Sequence, residues 1–252
     1  MRYQICMSFL LLAPCTVLSA PAPKGGWELV DPDHDCKIVI KDKTVTMEIP
    51  GGDHDLAPKR KCFNAPRLLR EIEGDFIMQA RICASFCPSA KSSVAGEEPR
   101  VAAGLVLIPA GENCIRLEYK AYRRKGEQSN GPAFRMRGEQ MWNMYVDGWE
   151  LPWQQQIRKG NEERIYLRLD RRGNSIYRFL SPDGKNWYAG SDMRPGIGTV
   201  SVELSDLPAK LKVGLAAYSN STEPFKVRFD QFKLIRGPKK DKSIPEFPLA
   251  SH

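Results

Sequence analysis

Two Asp-His-Asp triplets hold the chain's best candidates for metal chemistry. Asp33, His34 and Asp35, with Asp31 just ahead of them, precede an alternating stretch, Cys36–Lys41. Asp53, His54 and Asp55 follow a second such stretch, Thr44–Ile49. If Asp42 and Lys43 form the tip of a hairpin, Thr44 pairs with Lys41 and Pro50 with Asp35. Both triplets then fall at the hairpin's open end. Carboxylates converging there suit Ca²⁺, a hard cation that takes about six to eight oxygens. Two histidines joined by aspartate suit a transition metal instead. The competing reading is that Asp, Gly and Pro serve here as turn residues bonding their own backbone.

A second set suits binding. Trp142, Tyr145, Trp149 and Trp153 occur together with Asn143, Asp147, Gln154 and Gln155. Sugar rings stack their C–H faces on aromatic rings while amides and carboxylates bond the hydroxyls, an apolar platform with a few placed polar groups. Arg135 and Arg137 add positive charge suited to an acidic glycan. Against this stands a core-covering loop whose tryptophans are simply buried. Catalytic chemistry finds less support. Glycoside hydrolysis needs two matched carboxyls across a cleft, and the nearest run, Glu71 to Asp75, reads as a loop entering a strand. With three histidines in the chain, bases for a nucleophilic triad are few. No Gly-x-Ser-x-Gly elbow or phosphate loop occurs. No catalytic residue is assigned.

The elements that must position these residues are short strands. Asp75–Phe86, Asn113–Tyr122, Arg164–Asp170, Ser175–Leu180, Gly198–Leu204, Leu211–Tyr218 and Phe225–Ile235 alternate or nearly alternate apolar and polar residues, with turns such as Arg172–Asn174 and Ser181–Trp187 between them. Ala102–Ile108 is almost wholly apolar and reads as a central strand buried on both faces. Gly126–Leu151 is the least regular stretch. Many short strands separated by turn residues, with no long amphipathic helix, indicate a sandwich or barrel. At 252 residues and 42% hydrophobic content the chain can build one large β domain with a full core.

Both ends read differently. Arg2, the apolar run Ile5–Leu18 and the small residues Ser19, Ala20 and Ala22 follow the order of a signal peptide, with cleavage expected after Ala20 or Ala22. The run is shorter than the roughly 20 residues of a membrane span, and no other segment is long enough. Residues 21–26 form a spacer, 27–235 the domain, and 236–252 a polar, Pro-rich tail expected to be disordered. A secreted or periplasmic location follows. There the five cysteines beyond the leader, Cys36, Cys62, Cys83, Cys87 and Cys114, can form two disulfides and leave one thiol. The pairing stays open, as does their use as small buried hydrophobes. The net charge of +8 favours acidic polymers. Export sets nucleic acid aside and leaves an anionic polysaccharide or cell-envelope surface. The competing reading is solvated, charged strand faces that protect edges from aggregation.

The order of several short motifs carries a resemblance. Pro50–Leu56, Asn64–Arg67, Glu73–Phe76, Ala103–Leu105, Ile115–Glu118, Ser181–Trp187, Val213–Leu215 and Phe229–Phe232 together resemble the concanavalin A-like lectin/glucanase superfamily. Within it the chain is most similar to the bacterial "regulation of enolase" protein family, over about Trp27 to Ile235. The resemblance implies an all-β, two-sheet antiparallel jelly-roll sandwich. It also implies a glycan partner, since superfamily members bind or cleave glycans and some bind calcium. The Glu-x-Asp-x-Glu strand of the superfamily's glucanases is not present. The expected function is therefore an exported, non-catalytic domain that binds a carbohydrate or envelope polymer, with Ca²⁺ as the candidate cofactor. The alternatives are a glycan hydrolase with carboxylates from separate strands, or a protein-interaction module. Oligomeric state is not legible.

Overall fold

A computed structural model of the chain describes residues 25–57, 60–111, 113–124, 127–136, 140–143, 163–189, 201–203 and 207–237. The expected leader lies outside these residues, as does the expected tail from residue 238 onward; its first residue, Arg236, is paired with Phe76 in a strand. The strands are β1 (Trp27–Val30), β2 (Lys37–Lys41), β3 (Thr44–Ile49), β4 (Leu56–Ala57), β5 (Cys62–Phe63), β6 (Arg67–Glu73), β7 (Phe76–Ala84), β8 (Arg100–Ile108) and β9 (Ile115–Arg124). They continue with β10 (Glu127–Met136), β11 (Gln140–Asn143), β12 (Glu163–Arg172), β13 (Ser175–Ser181), β14 (Tyr188–Ala189), β15 (Ser201–Glu203), β16 (Lys210–Ser219) and β17 (Phe225–Arg236). No α-helix occurs among the described residues, and so no helix there is long and apolar enough to cross a membrane.

Two antiparallel sheets form a jelly-roll sandwich. One runs β1-β6-β16-β8-β9-β10-β11. The other runs β14-β13-β12-β7-β17-β3-β2, with β15 also on β13. The two-residue period of a strand sends alternate side chains to opposite faces, and the core is built from one parity of each strand. Val45, Met47 and Ile49 of β3 meet Leu105 and Leu107 of β8, Ile115 and Leu117 of β9, and Val213 and Leu215 of β16 in one buried cluster. Each such side chain contributes about 1.5–3 kcal/mol when fully buried. As the sequence predicts, β8 is buried along nearly its whole length. The hairpin register is the expected one, Lys41 opposite Thr44. Asp42 at its tip has φ +54°, a left-handed conformation that Asp tolerates.

The structure departs from the sequence reading in three places. The irregular stretch Gly126–Leu151 contains β10, which pairs with β9 from Glu127↔Arg124 to Met136↔Ile115, and then β11. Gly131 and Pro132 hide that strand from a propensity reading, because both are poor strand residues. The arginines and lysines of several strands are not solvated faces: Arg116, Lys120, Arg168, Arg171 and Arg178 are all buried. Finally, all five cysteines are free thiols.

Candidate functional site

The sequence Ile115-Arg-Leu-Glu-Tyr-Lys120 splits between the two faces of β9. Leu117 and Tyr119 enter the core. Arg116, Glu118 and Lys120 take the other parity, on the sheet face turned away from the second sheet. Their register neighbours on β8 and β16 are small: Glu118 sits beside Gly104, which faces Ala216, and Lys120 sits beside Ala102. A Cβ on Gly104 would collide with the Leu117 carbonyl, so only glycine fits this close strand approach. Its missing side chain also lets two larger ones meet above it, because the Arg116 guanidinium lies 4.4 Å from the centre of the Tyr218 ring.

Arg116 is 1% exposed and Glu118 3%. Burying charges is costly unless partners compensate, and compensation here is uneven. Arg116 Nη1 donates to Asp55 Oδ1 at 2.6 Å. Its Nε lies 3.6 Å from Glu118 Oε2, too far for a hydrogen bond, and neither atom has another such partner. The Tyr218 hydroxyl and Arg67 Nε on the same face are likewise buried without one. Burial works against the Arg116 charge, but Glu118 and Asp55 outweigh it and hold its guanidinium well above the usual range. Burial pushes the Tyr218 phenol well above its ordinary value, so the hydroxyl keeps its proton. Buried polar atoms are nearly always satisfied in folded proteins. Four such atoms on one face, over a floor of Gly and Ala, leave hydrogen-bonding capacity unmet there.

The loop from Gly52 to Asn64 lies beside this face. Its backbone extends the end of β16: His54 N–H donates to the Ser219 carbonyl and Ser219 N–H to that of His54. Asp55, 2% exposed, gathers Arg60, Arg100 and Arg116, with NH···O distances of 2.8, 2.8 and 2.6 Å, and accepts the Leu56 N–H. Asn64 clamps the loop from inside, donating to Asp33 Oδ2 and the Asp53 carbonyl and accepting the Asp55 N–H. Leu56, Ala65 and Phe63 pack with Leu69, Val106 and Tyr218 in a smaller apolar cluster on this outer face.

The two triplets therefore do lie at one end of the sandwich, but they are divided among partners. Asp35 meets His54, with Nε2 3.1 and 3.2 Å from its two carboxylate oxygens. Cys36 Sγ donates to the same carboxylate at 3.4 Å. Asp53 and Asp55 share Arg60. Asp33 is taken by Asn64, and His34 is exposed with φ +55°. Burial and Asp53 push the thiol of Cys62, also in this loop, up to about 11. Of the aromatic set, Tyr145, Trp149 and Trp153 lie outside the described residues. Arg135 pairs with Arg116, Trp142 with Phe134, which pairs with Leu117, and Asn143 with Ala133, which pairs with Glu118. The outer-face group of Arg116, Glu118, Lys120 and Tyr218 was missed in the sequence because charged residues alternating with apolar ones read as a wet strand face. The available signal was the small-residue pattern of the adjacent strands, Ala102, Gly104, Gly214 and Ala216.

No protein-family model and no curated protein matches the chain in sequence. Many solved structures match, and two of them share the fold over most of both chains. One is a functionally unknown protein from Saccharomyces cerevisiae, at 14% identity and TM-score 0.54, over 83% of this chain and 95% of that one. The other is an alginate lyase from Klebsiella pneumoniae, at 14% identity and TM-score 0.52, over 85% and 96%. At these identities the likeness concerns the fold alone, a two-sheet antiparallel β-sandwich.

Proposed function

We propose that this chain is an exported domain that binds an anionic glycan or envelope polymer on the outer face of its seven-stranded sheet. The observation that carries the reading is the under-partnered buried set of Glu118, Arg116 and Tyr218, flanked by Lys120 and Arg67. Glu118 accepts sugar hydroxyls, Tyr218 donates one hydrogen bond, and Arg67 offers its unsatisfied Nε–H to the acidic groups of the polymer. Arg135 and Asn143, in register with Arg116 and Glu118, share the parity of this set and support one continuous site, with Tyr145, Trp149 and Trp153 as its stacking surface; Trp142, in register with Phe134 and Leu117, takes the core parity and is left out of it. The fold shared with an alginate lyase makes a polyuronate the first polymer to try. The motif order Pro50–Leu56 through Phe229–Phe232 supports kinship with the "regulation of enolase" family.

The test is retention of the chain on alginate, pectate, xylan and cellulose. Salt-sensitive retention on an acidic polymer, weakened at least about 10-fold by Glu118→Gln (the loss of one hydrogen bond to a charged acceptor) and by Trp149→Ala, is expected. No retention on any polymer, or unchanged retention in both variants, removes the reading. A second reading, glycan cleavage, is favoured by one observation: a carboxylate and a proton-bearing phenol, neither of them hydrogen-bonded, lie against the same arginine. New chain ends appearing in a retained polymer, and absent with Tyr218→Phe, would establish it.

A further inference from the structure

We propose that Asp35, Cys36 and His54 form a site for one zinc-like divalent transition-metal ion, independent of the glycan reading. Their ligand atoms, a carboxylate oxygen, a thiol sulfur and an imidazole nitrogen, all lie within 4.8 Å of one another. Tetrahedral zinc with bonds of about 2.0–2.3 Å holds its ligand atoms roughly 3.3–3.7 Å apart. Nε2 to Oδ1 is 3.1 Å and Sγ to Oδ1 is 3.4 Å, so a small adjustment of the exposed Asp35 side chain accommodates an ion. The donors come from two segments, the entry to β2 and the loop after β3, which the hairpin register brings together. That placement is held by backbone bonds and not by the ligands: His54 is fixed to Ser219 through both its N–H and its C=O, and Gly52 N–H to the Ser221 carbonyl.

A second observation points the same way. Asp31 uses Oδ2 to accept the Cys36 N–H at 3.2 Å, while its Oδ1 is buried with no hydrogen-bond partner. Asp31 lies outside the converging trio, but its carboxylate on the Cys36 backbone adds negative charge beside the thiol, which favours a cation there. The donor chemistry selects the class of ion. Sulfur and nitrogen with one or two carboxylate oxygens suit zinc or cobalt, whereas calcium wants six or more oxygens. The other carboxylates at this end cannot supply those oxygens, since Asp53 and Asp55 are held by Arg60 and Asp33 by Asn64. On binding, the Cys36 S–H bond breaks, its proton passes to solvent, and the thiolate pair bonds the ion. The metal keeps its oxidation state.

The experiment is titration of the full chain, reduced and stripped with chelator, with Co²⁺ followed by Zn²⁺ competition. One equivalent should saturate the protein and give a thiolate-to-cobalt charge-transfer band that zinc abolishes. Cys36→Ser should remove the band, and Asp35→Asn should weaken binding at least about 10-fold. Both variants should melt at the temperature of the metal-free parent, and neither should gain stability from zinc. Cys62→Ser should titrate like the parent. Absence of saturable one-to-one binding, a band that survives Cys36→Ser, or a band lost only with Cys62→Ser would overturn the assignment.

Discussion

The two sheets each carry a cation-anion-cation row on alternate residues of one strand. On β12 the row is Arg168, Asp170 and Arg172; on β9 it is Arg116, Glu118 and Lys120. In the first, Arg168 clasps Asp170 with two hydrogen bonds, Nε to Oδ1 at 2.7 Å and Nη2 to Oδ2 at 3.1 Å. Its guanidinium also lies 5.7 Å from the rings of Phe179 and Trp187. In the second, Arg116 is drawn off by Asp55, and Glu118 is left with a charge neighbour but no hydrogen bond. The two strands carry nearly the same side-chain pattern, and what differs is the third party. Asp55, delivered by a loop, turns a self-contained pair into a set with spare capacity. Spare buried capacity is expensive, so the row on β12 reads as structural and the row on β9 is the one proposed to bind a ligand.

The largest effect that tests this contrast is at Asp55. Asp55→Asn leaves three arginines short of their shared acceptor, one of them fully buried. Breaking a buried pair from one side costs about 3–5 kcal/mol, and three partners place this at the upper end. Since total stability for a domain is about 5–15 kcal/mol, urea unfolding should show a third or more of it gone. A loss below about 1 kcal/mol would mean that the loop is not anchored through Asp55. Asp170→Asn comes next, at about 3 kcal/mol, because Arg168 loses the carboxylate charge and one of its two acceptors in a buried setting. It should leave polymer retention unchanged at temperatures where the variant is folded. A loss of retention there would place the binding face on the eight-stranded sheet instead.

Those two contrasts also show what sequence could reveal. Strand periodicity fixed the parity of β3, β8 and β16, and so the core, because the hydrophobic pattern alone sets which face goes in. It also placed the two triplets at one end, since a two-residue hairpin tip determines the register. Partner choice was not legible. Nothing in Asp53-His54-Asp55 says that Asp55 will face three arginines and His54 will turn to Asp35, because that depends on a half-dozen residues spread from Asp31 to Ser221. Cys36 was read as a disulfide or core cysteine, since its neighbour at position 54 is distant in the chain. The β9 row was hidden for the opposite reason. Its alternation was clear, but only the third strand over, with Ala216 and Tyr218, shows that the polar face is covered.

Glu118→Gln is expected to cost the fold less than Asp170→Asn, about 1–2 kcal/mol, because a charge neighbour of Arg116 at 3.6 Å is lost but no hydrogen bond is. The same substitution should weaken acidic-polymer retention at least about 10-fold. The opposite result, a fall in stability of several kcal/mol with retention unchanged, would put Glu118 in the same structural class as Asp170 and erase the contrast between the rows.

Tyr218→Phe has the smallest expected effect on stability and the sharpest meaning. The ring remains over Arg116, so the cation–π contact is kept. Only the hydroxyl goes, and it is a buried donor with no partner. Removing such a group relieves a desolvation cost, so thermal unfolding should be unchanged or shifted upward by the equivalent of about 1 kcal/mol. Polymer retention should fall. A hydroxyl that costs stability and is required for binding belongs to the ligand. A variant that instead loses more than about 1 kcal/mol and still binds would show the phenol to be bonded inside the protein, and the β9 face to be as self-sufficient as that of β12.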